Sequence, residues 1–226
     1  AGSATGSIYD LGYRRYDGPR LGRRHAVATL LGHGLRAVFG LGRSGRAKVA
    51  PLGLGAIVAL PALVSVAFGA LAGPAAPADV NPISLEGYLP FVQTVLVFFV
   101  AAQAPELLVR DRRYGVLTLY FSRALQRDDY ALAKWAALVT AVGLVVLIPQ
   151  VLLLAGELFA TNDVGEGIAT VVPLLLPVAA RTVVVAAVLG GVGLAASAFT
   201  ARRAFAAGAI IAVFLLLSGI VTVLVA

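Results

Sequence analysis

Residues 131–155 read ALAKWAALVTAVGLVVLIPQVLLLA, with Lys134 as the single charge. A helix rising 1.5 Å per residue carries this stretch through about 37 Å, more than the ~30 Å of hydrocarbon in a bilayer. A core helix of a water-soluble domain keeps a polar stripe for solvent, and no such stripe is present here. Four further apolar stretches lie outward from it, at 49–71, 88–104, 171–199 and 204–226. The 226 residues are 60% hydrophobic and 13% charged, a composition of integral membrane proteins. The expected fold class is therefore all-α, a polytopic transmembrane helix bundle with five visible spans. Residues 49–226 form the transmembrane domain, in which Pro51 suits a first helical turn and Pro149 is expected to kink the third span.

The 18 basic residues sort against these spans. One group precedes the first span: Arg14, Arg15, Arg20, Arg23, Arg24, Arg36, Arg43, Arg46 and Lys48. A second group lies at or near the loop 106–130: Arg110, Arg112, Arg113, Arg123, Arg127 and Lys134. Arg202 and Arg203 separate the last two spans. The two remaining loops hold only acids: Asp79, Glu86, Glu157, Asp163 and Glu166. Positive charge in short loops marks the cytoplasmic side, so a multi-pass protein with a cytoplasmic N-terminus is expected. The net charge of +7 needs no nucleic acid to explain it, and none is expected as a partner. Abundant Ala, Val, Leu, Gly and Arg suggest a GC-rich bacterial genome, hence the bacterial cytoplasmic membrane. Five crossings that start inside end outside, so either the protein has five spans and a buried end or at least one further span lies outside this sequence, and the second is expected.

Residues 1–48 read as a cytoplasmic N-terminal segment without a signal-peptide apolar core. Within it, 26–43 reads as an amphipathic interfacial helix on membrane lipid, weakened by glycines at 32, 34, 40 and 42. With no cysteine, disulfides, thiolate nucleophiles and cysteine metal sites are excluded. His25 and His33 lack acids that would complete a metal set, so no metal site is expected.

The most specific string is 106–134, ELLVRDRRYGVLTLYFSRALQRDDYALAK. Its charges cluster at 110–113 and 127–129, and an apolar patch of Val116, Leu117, Leu119, Tyr120 and Phe121 interrupts them. Such a segment neither crosses a membrane nor rests as a solvated loop. Its natural place is under the membrane, apolar side on the spans and charged side toward a soluble partner. A loop that merely anchors two spans is the simpler alternative.

The order Arg112, Arg113, Tyr114, Gly115, then Leu117, Leu119, Ser122, Arg127 and Lys134 resembles the permease subunits of type-2 ATP-binding cassette (ABC) exporters. In that family a coupling helix follows the second span, and its pattern of charge cluster, Gly, Leu-x-x-Leu, Ser-x-Pro, Arg and Lys is similar. Ala124 departs from it where proline is usual. The stretch 9–20, YDLGYRRYDGPR, also looks like the N-terminus of many bacterial members. The resemblance implies a permease without a catalytic site or cofactor of its own, with ATP and Mg held by a partner nucleotide-binding ATPase subunit. It implies a second permease, identical or related, meeting this one through the first and fifth spans. It also implies that Glu106, Arg110, Asp111, Arg112, Arg113, Tyr114, Gly115 and Leu117 form the ATPase-coupling contact. The reading from another class is an ATP-independent secondary transporter or a scaffold subunit, although no internal repeat is visible.

Other residues carry narrower questions. The stretch 40–46, GLGRSGR, lacks the Lys-Ser/Thr ending of a phosphate loop and follows no strand. Arg181 has two readings. It lies near the midplane as a functional cation if the fourth helix starts at Val171. Alternatively Pro173 and Pro177 end a short outer helix and Arg181 snorkels outward from a span at 178–198. Gln93, Gln103 and Gln150 either line a polar route, with Arg181, Gln93 and Gln103 touching substrate or lipid, or bond between helices. Gly69, Gly73, Gly190, Gly191 and Gly193 permit close helix packing. Tyr9, Tyr13 and Tyr16 share one helical face beside Arg14 and Arg15, as an ATPase contact or a membrane-surface anchor.

Overall fold

The computed structural model describes residues 18, 21–73, 82–122, 125–160, 163–200 and 202–225. Among these residues it is all-helical: α1 (Gly22–Val38), α2 (Gly45–Ala72), α3 (Leu85–Arg113), α4 (Leu117–Phe121), α5 (Arg127–Ala160), α6 (Val164–Ala198) and α7 (Arg203–Val225). Five of them, α2, α3, α5, α6 and α7, are long and apolar enough to cross a membrane. The chain has the architecture of a multi-pass membrane protein.

The five long helices alternate in direction. The starts of α2 and α7 adjoin the end of α3, the end of α6 is bonded to the end of α3, and Lys134 of early α5 reaches Asp111 of late α3. Every described basic residue except Arg181 therefore gathers at one end of the bundle. Glu86, Glu157, Asp163 and Glu166 gather at the other. These are called the basic and acidic ends below.

Helices α3 and α5 form the interior, with 56% of their most apolar segment buried, against 22%, 17% and 11% for α2, α6 and α7. Glycines set the closest approaches. A Cβ on Gly193 of α6 would sit 2.4 Å from Val100 Cγ1 of α3, and one on Gly190 would sit 3.0 Å from Val139 Cγ2 of α5. The packing expected of that glycine run is therefore present. Among the side-chain bonds that cross between helices, the buried Gln150 donates to Thr182 at 2.8 Å, and the Tyr88 hydroxyl donates to the Val58 carbonyl at 2.9 Å. Gln150 thus takes the interhelical role of the two proposed for it.

Several boundaries differ from the sequence expectation. The first two turns of the 106–130 segment belong to α3, which runs on to Arg113. The acidic loop expected at 156–170 is largely absorbed into α5 and α6. Asp163 explains the second part, because its side chain accepts from the Gly165 N–H at 2.9 Å and Glu166 lies in the first turn, favourable to the helix dipole. Helix α5 continues through Pro149, and α6 through Pro173 and Pro177, so no short outer helix ends at those prolines. A proline removes one backbone donor, and neighbouring packed helices hold the rest of the ladder together. Helix α1 does not lie apart on the surface. It packs along early α5, where a Cβ on Gly34 would be 2.8 Å from the Ala137 Cβ.

Candidate functional site

The last turns of α3 are the hub of the basic end. Glu106, with a side chain only 11% exposed, faces arginines from three elements: Arg43 at 3.1 Å, Arg110 one turn on at 3.9 Å, and Arg203 of α7. Asp111 binds the buried Lys134 of α5 at 2.7 Å and accepts from the Tyr130 hydroxyl at 2.9 Å. The Lys134 ammonium also lies 5.4 Å from the centre of the Tyr130 ring. Arg112 donates to the Ala198 carbonyl at the end of α6, where the helix leaves carbonyls unsatisfied. The last turns of one helix thus reach the α1–α2 connection, α5, α6 and α7.

Helix α3 then stops in a Schellman motif. Gly115 takes φ +65°, its N–H donates to the Arg112 carbonyl at 3.2 Å, and the Val116 N–H donates to the Asp111 carbonyl at 3.2 Å. Only glycine adopts this backbone without strain. The same motif ends α1, with Gly40 at φ +64° and the Leu41 N–H on the Arg36 carbonyl at 2.8 Å. At Gly40 a Cβ would also lie 2.5 Å from the Ala47 carbonyl oxygen. The 40–46 stretch is therefore a tight turn between α1 and α2.

Beyond Gly115 the chain forms the five-residue α4. Leu117 and Tyr120 pack inward against Leu30 of α1 and Tyr130 and Ala133 of α5, with the Tyr120 and Tyr130 rings 5.8 Å apart. Burial first, and then the Asp111 carboxylate, raise the pKa of the Tyr120 hydroxyl, so it stays neutral beside that acid. On the other side Tyr114 is 68% and Leu119 65% exposed. Two large apolar side chains beside exposed Arg112 and Arg113 make a mixed aromatic and basic surface. Arg23 fastens α1 to this assembly through both Asp129 carboxylate oxygens, at 2.7 and 2.9 Å, and Gln126 at 2.9 Å. Its pKa is raised chiefly by that Asp129 bond.

The expected coupling residues are thus brought to one end but divided by role. Arg112, Arg113, Tyr114 and Gly115 are exposed, whereas Glu106, Asp111 and Leu117 face inward and Arg110 lies between. Tyr9, Tyr13, Arg14, Arg15 and Tyr16 lie outside the described residues. Lys134 as the buried partner of Asp111 was not anticipated, although a lysine one turn inside an apolar stretch calls for a carboxylate at its own depth. The convergence of Arg43 and Arg203 on Glu106 left no sequence signal.

Arg181 and Gln93 meet in a separate place, an apolar cleft of about 490 Å³ between α3, α6 and α7. Arg181 reaches from the middle of α6 toward the acidic end. Its guanidinium donates to the Glu86 carbonyl at 3.2 Å and more weakly to Leu85 at 3.5 Å, at the first turn of α3. The fourth residue after Glu86 is Pro90, which has no N–H to give back. Arg181 fills the vacancy that Pro90 leaves. It reaches there because side chains lean toward the N-terminus of their helix, and that of α6 is at the acidic end. Gln103, 4% exposed, lies instead in a cavity at the basic end, next to Glu106.

Comparison with protein-family models, with curated proteins and with solved structures gives no match.

Proposed function

We propose that this chain is the transmembrane permease subunit of an ABC exporter, embedded in a bacterial cytoplasmic membrane with its basic end and N-terminus in the cytoplasm. A separate nucleotide-binding ATPase subunit holds ATP and Mg, and a second permease completes the pair. The observation that carries this reading is the basic end itself. An exposed surface of Tyr114, Leu119 and Arg113 lies at the end of a helix whose last turns are bonded to four other elements.

The mechanism follows from those bonds. A closing ATPase presses on α4 and the Gly115 turn. The load enters α3, and Glu106, Asp111 and Arg112 pass it to α7, α5 and α6. The inner residues named from the family pattern then transmit force, while the outer ones receive it. The low burial of α2 and α7 leaves faces for lipid or for the second permease, in keeping with a pairing through the first and fifth spans.

The test is co-purification of a nucleotide-binding subunit with the full chain, in wild type and in Arg113→Glu/Tyr114→Ala. Neither residue has an ion-pair partner among the described residues, so the bundle should fold unchanged. Loss of the ATPase, or ATP hydrolysis without transport, is the expected result. Unchanged association and transport would remove the coupling assignment. An active transporter with no such subunit would favour the ATP-independent reading.

A further inference from the structure

The basic end encloses a cavity of about 1070 Å³ between the starts of α2 and α7 and the last turns of α3. Six arginines line it: Arg43, Arg46, Arg110, Arg113, Arg202 and Arg203. Glu106 is the single carboxylate among the lining residues, and it faces Arg43, Arg110 and Arg203. Arg46, Arg113 and Arg202 have no carboxylate within ion-pair distance among the described residues. Arginine does not relieve such crowding by losing a proton at neutral pH. The exposed Arg46, Arg113 and Arg202 therefore leave the cavity with a positive charge that favours an anion.

The walls narrow the chemistry. Guanidinium groups from three elements present forked donors around a concavity, the geometry that suits phosphate oxygens. Toward the bundle the lining changes to small apolar side chains, among them Ala50, Ala101, Ala102 and Ala207, which leave room beside the charges. The cavity also lies where the spans begin, at the depth of lipid headgroups, and basic pockets between spans at that depth suit phosphorylated headgroups.

We propose that this cavity binds the phosphate of an anionic amphiphile, held by Arg46, Arg113 and Arg202, with the apolar part of the molecule along the alanine wall. Glu106 gathers the other three arginines on its own carboxylate and leaves these three for the ligand. The site shares Arg113 with the exposed surface beside α4, but Arg46 and Arg202 lie outside that surface, and its occupancy does not depend on the permease reading.

The test uses the full chain purified in a neutral maltoside detergent, with phosphatidylglycerol, phosphatidylcholine and pyrophosphate as probes. Native mass spectrometry should show phosphatidylglycerol retained about tenfold more strongly than phosphatidylcholine. Added salt should weaken that retention. Arg46→Gln/Arg202→Gln should abolish the preference while keeping wild-type helicity and gel-filtration behaviour. Pyrophosphate that displaces phosphatidylglycerol only weakly identifies a lipid as the phosphate source. Pyrophosphate that binds as well as the lipid identifies a soluble phosphate and supports the same arginine chemistry. Equal retention of the two lipids with no pyrophosphate binding would overturn the proposal, as would undiminished binding in the folded double variant. If that variant fails to fold, the salt titration of wild type decides, and salt-independent retention counts against the site.

Discussion

Arg181 and the arginines of the basic end are the same residue type answering opposite problems. At the acidic end the backbone lacks a donor, because Pro90 cannot bond the Glu86 carbonyl, and one long cation from α6 supplies it. At the basic end the cations are in excess, and the described carboxylates engage only some of them. The first arrangement is complete within the chain. The second is closed around Glu106 and Asp111 and open at Arg46, Arg113, Arg202 and the α4 surface. A charge near apolar helices is thus a structural repair where one backbone atom needs it, and a binding surface where several cations outnumber their partners.

The largest break in this contrast should come from Asp111→Asn. It leaves Lys134, 3% exposed, without a counter-charge, and breaking a buried pair of this kind costs about 3 kcal/mol. Chemical unfolding in detergent, followed by Trp135 fluorescence, should register the loss. Adding Lys134→Met should restore most of it, since the penalty comes from the stranded cation.

A smaller effect is expected at the acidic end. Arg181→Ala should cost about 1 kcal/mol by leaving the Glu86 carbonyl unbonded. In a Pro90→Ala background the same substitution should be close to neutral, because an alanine there brings back the missing N–H. A full cost for Arg181→Ala in that background, read as a double-mutant cycle on unfolding free energy, would show that Arg181 serves some other purpose.

The smallest effect belongs to Arg23→Ala on the exposed edge of α1. Its bonds to Asp129 are good in geometry but open to solvent, so salt screens them. A slight fall in melting temperature at low salt should vanish at high salt. A fall that survives high salt would mean that α1 is held to α5 mainly through this pair and not through Gly34 and Leu30.

Much of this was legible in the sequence. The apolar stretch 131–155 gave α5 to within a turn or so at each end, and the arginine distribution gave the end at which each helix starts. Gly40 and Gly115, which end α1 and α3 at positive φ, were not read as stops, although a glycine after a helical run is a readable C-terminal signal. The extension of α6 back to Val164 was missed, although Asp163 followed by Glu166 is a readable N-terminal signal. At the candidate site the cluster 110–113 was found as a block. Its division into inward Asp111 and outward Arg113 was not, because that depends on how α3 is turned about its own axis.

The sequence by itself determined that there are five membrane-length helices, their alternation and the sorting of charge between two ends. Hydrocarbon excludes charge and unpaired backbone locally, so each stretch answers that constraint without reference to the others. Only the tertiary structure decided that α3 and α5 are interior, that Glu106 gathers three arginines, and that Arg181 repairs a proline. Helices that are apolar all round carry little record of which face turns inward, since lipid and neighbouring side chains are alike to them. Close packing at Gly190 and Gly193 and the few polar bonds between helices fix those rotations, and they depend on pairs of residues far apart in the chain.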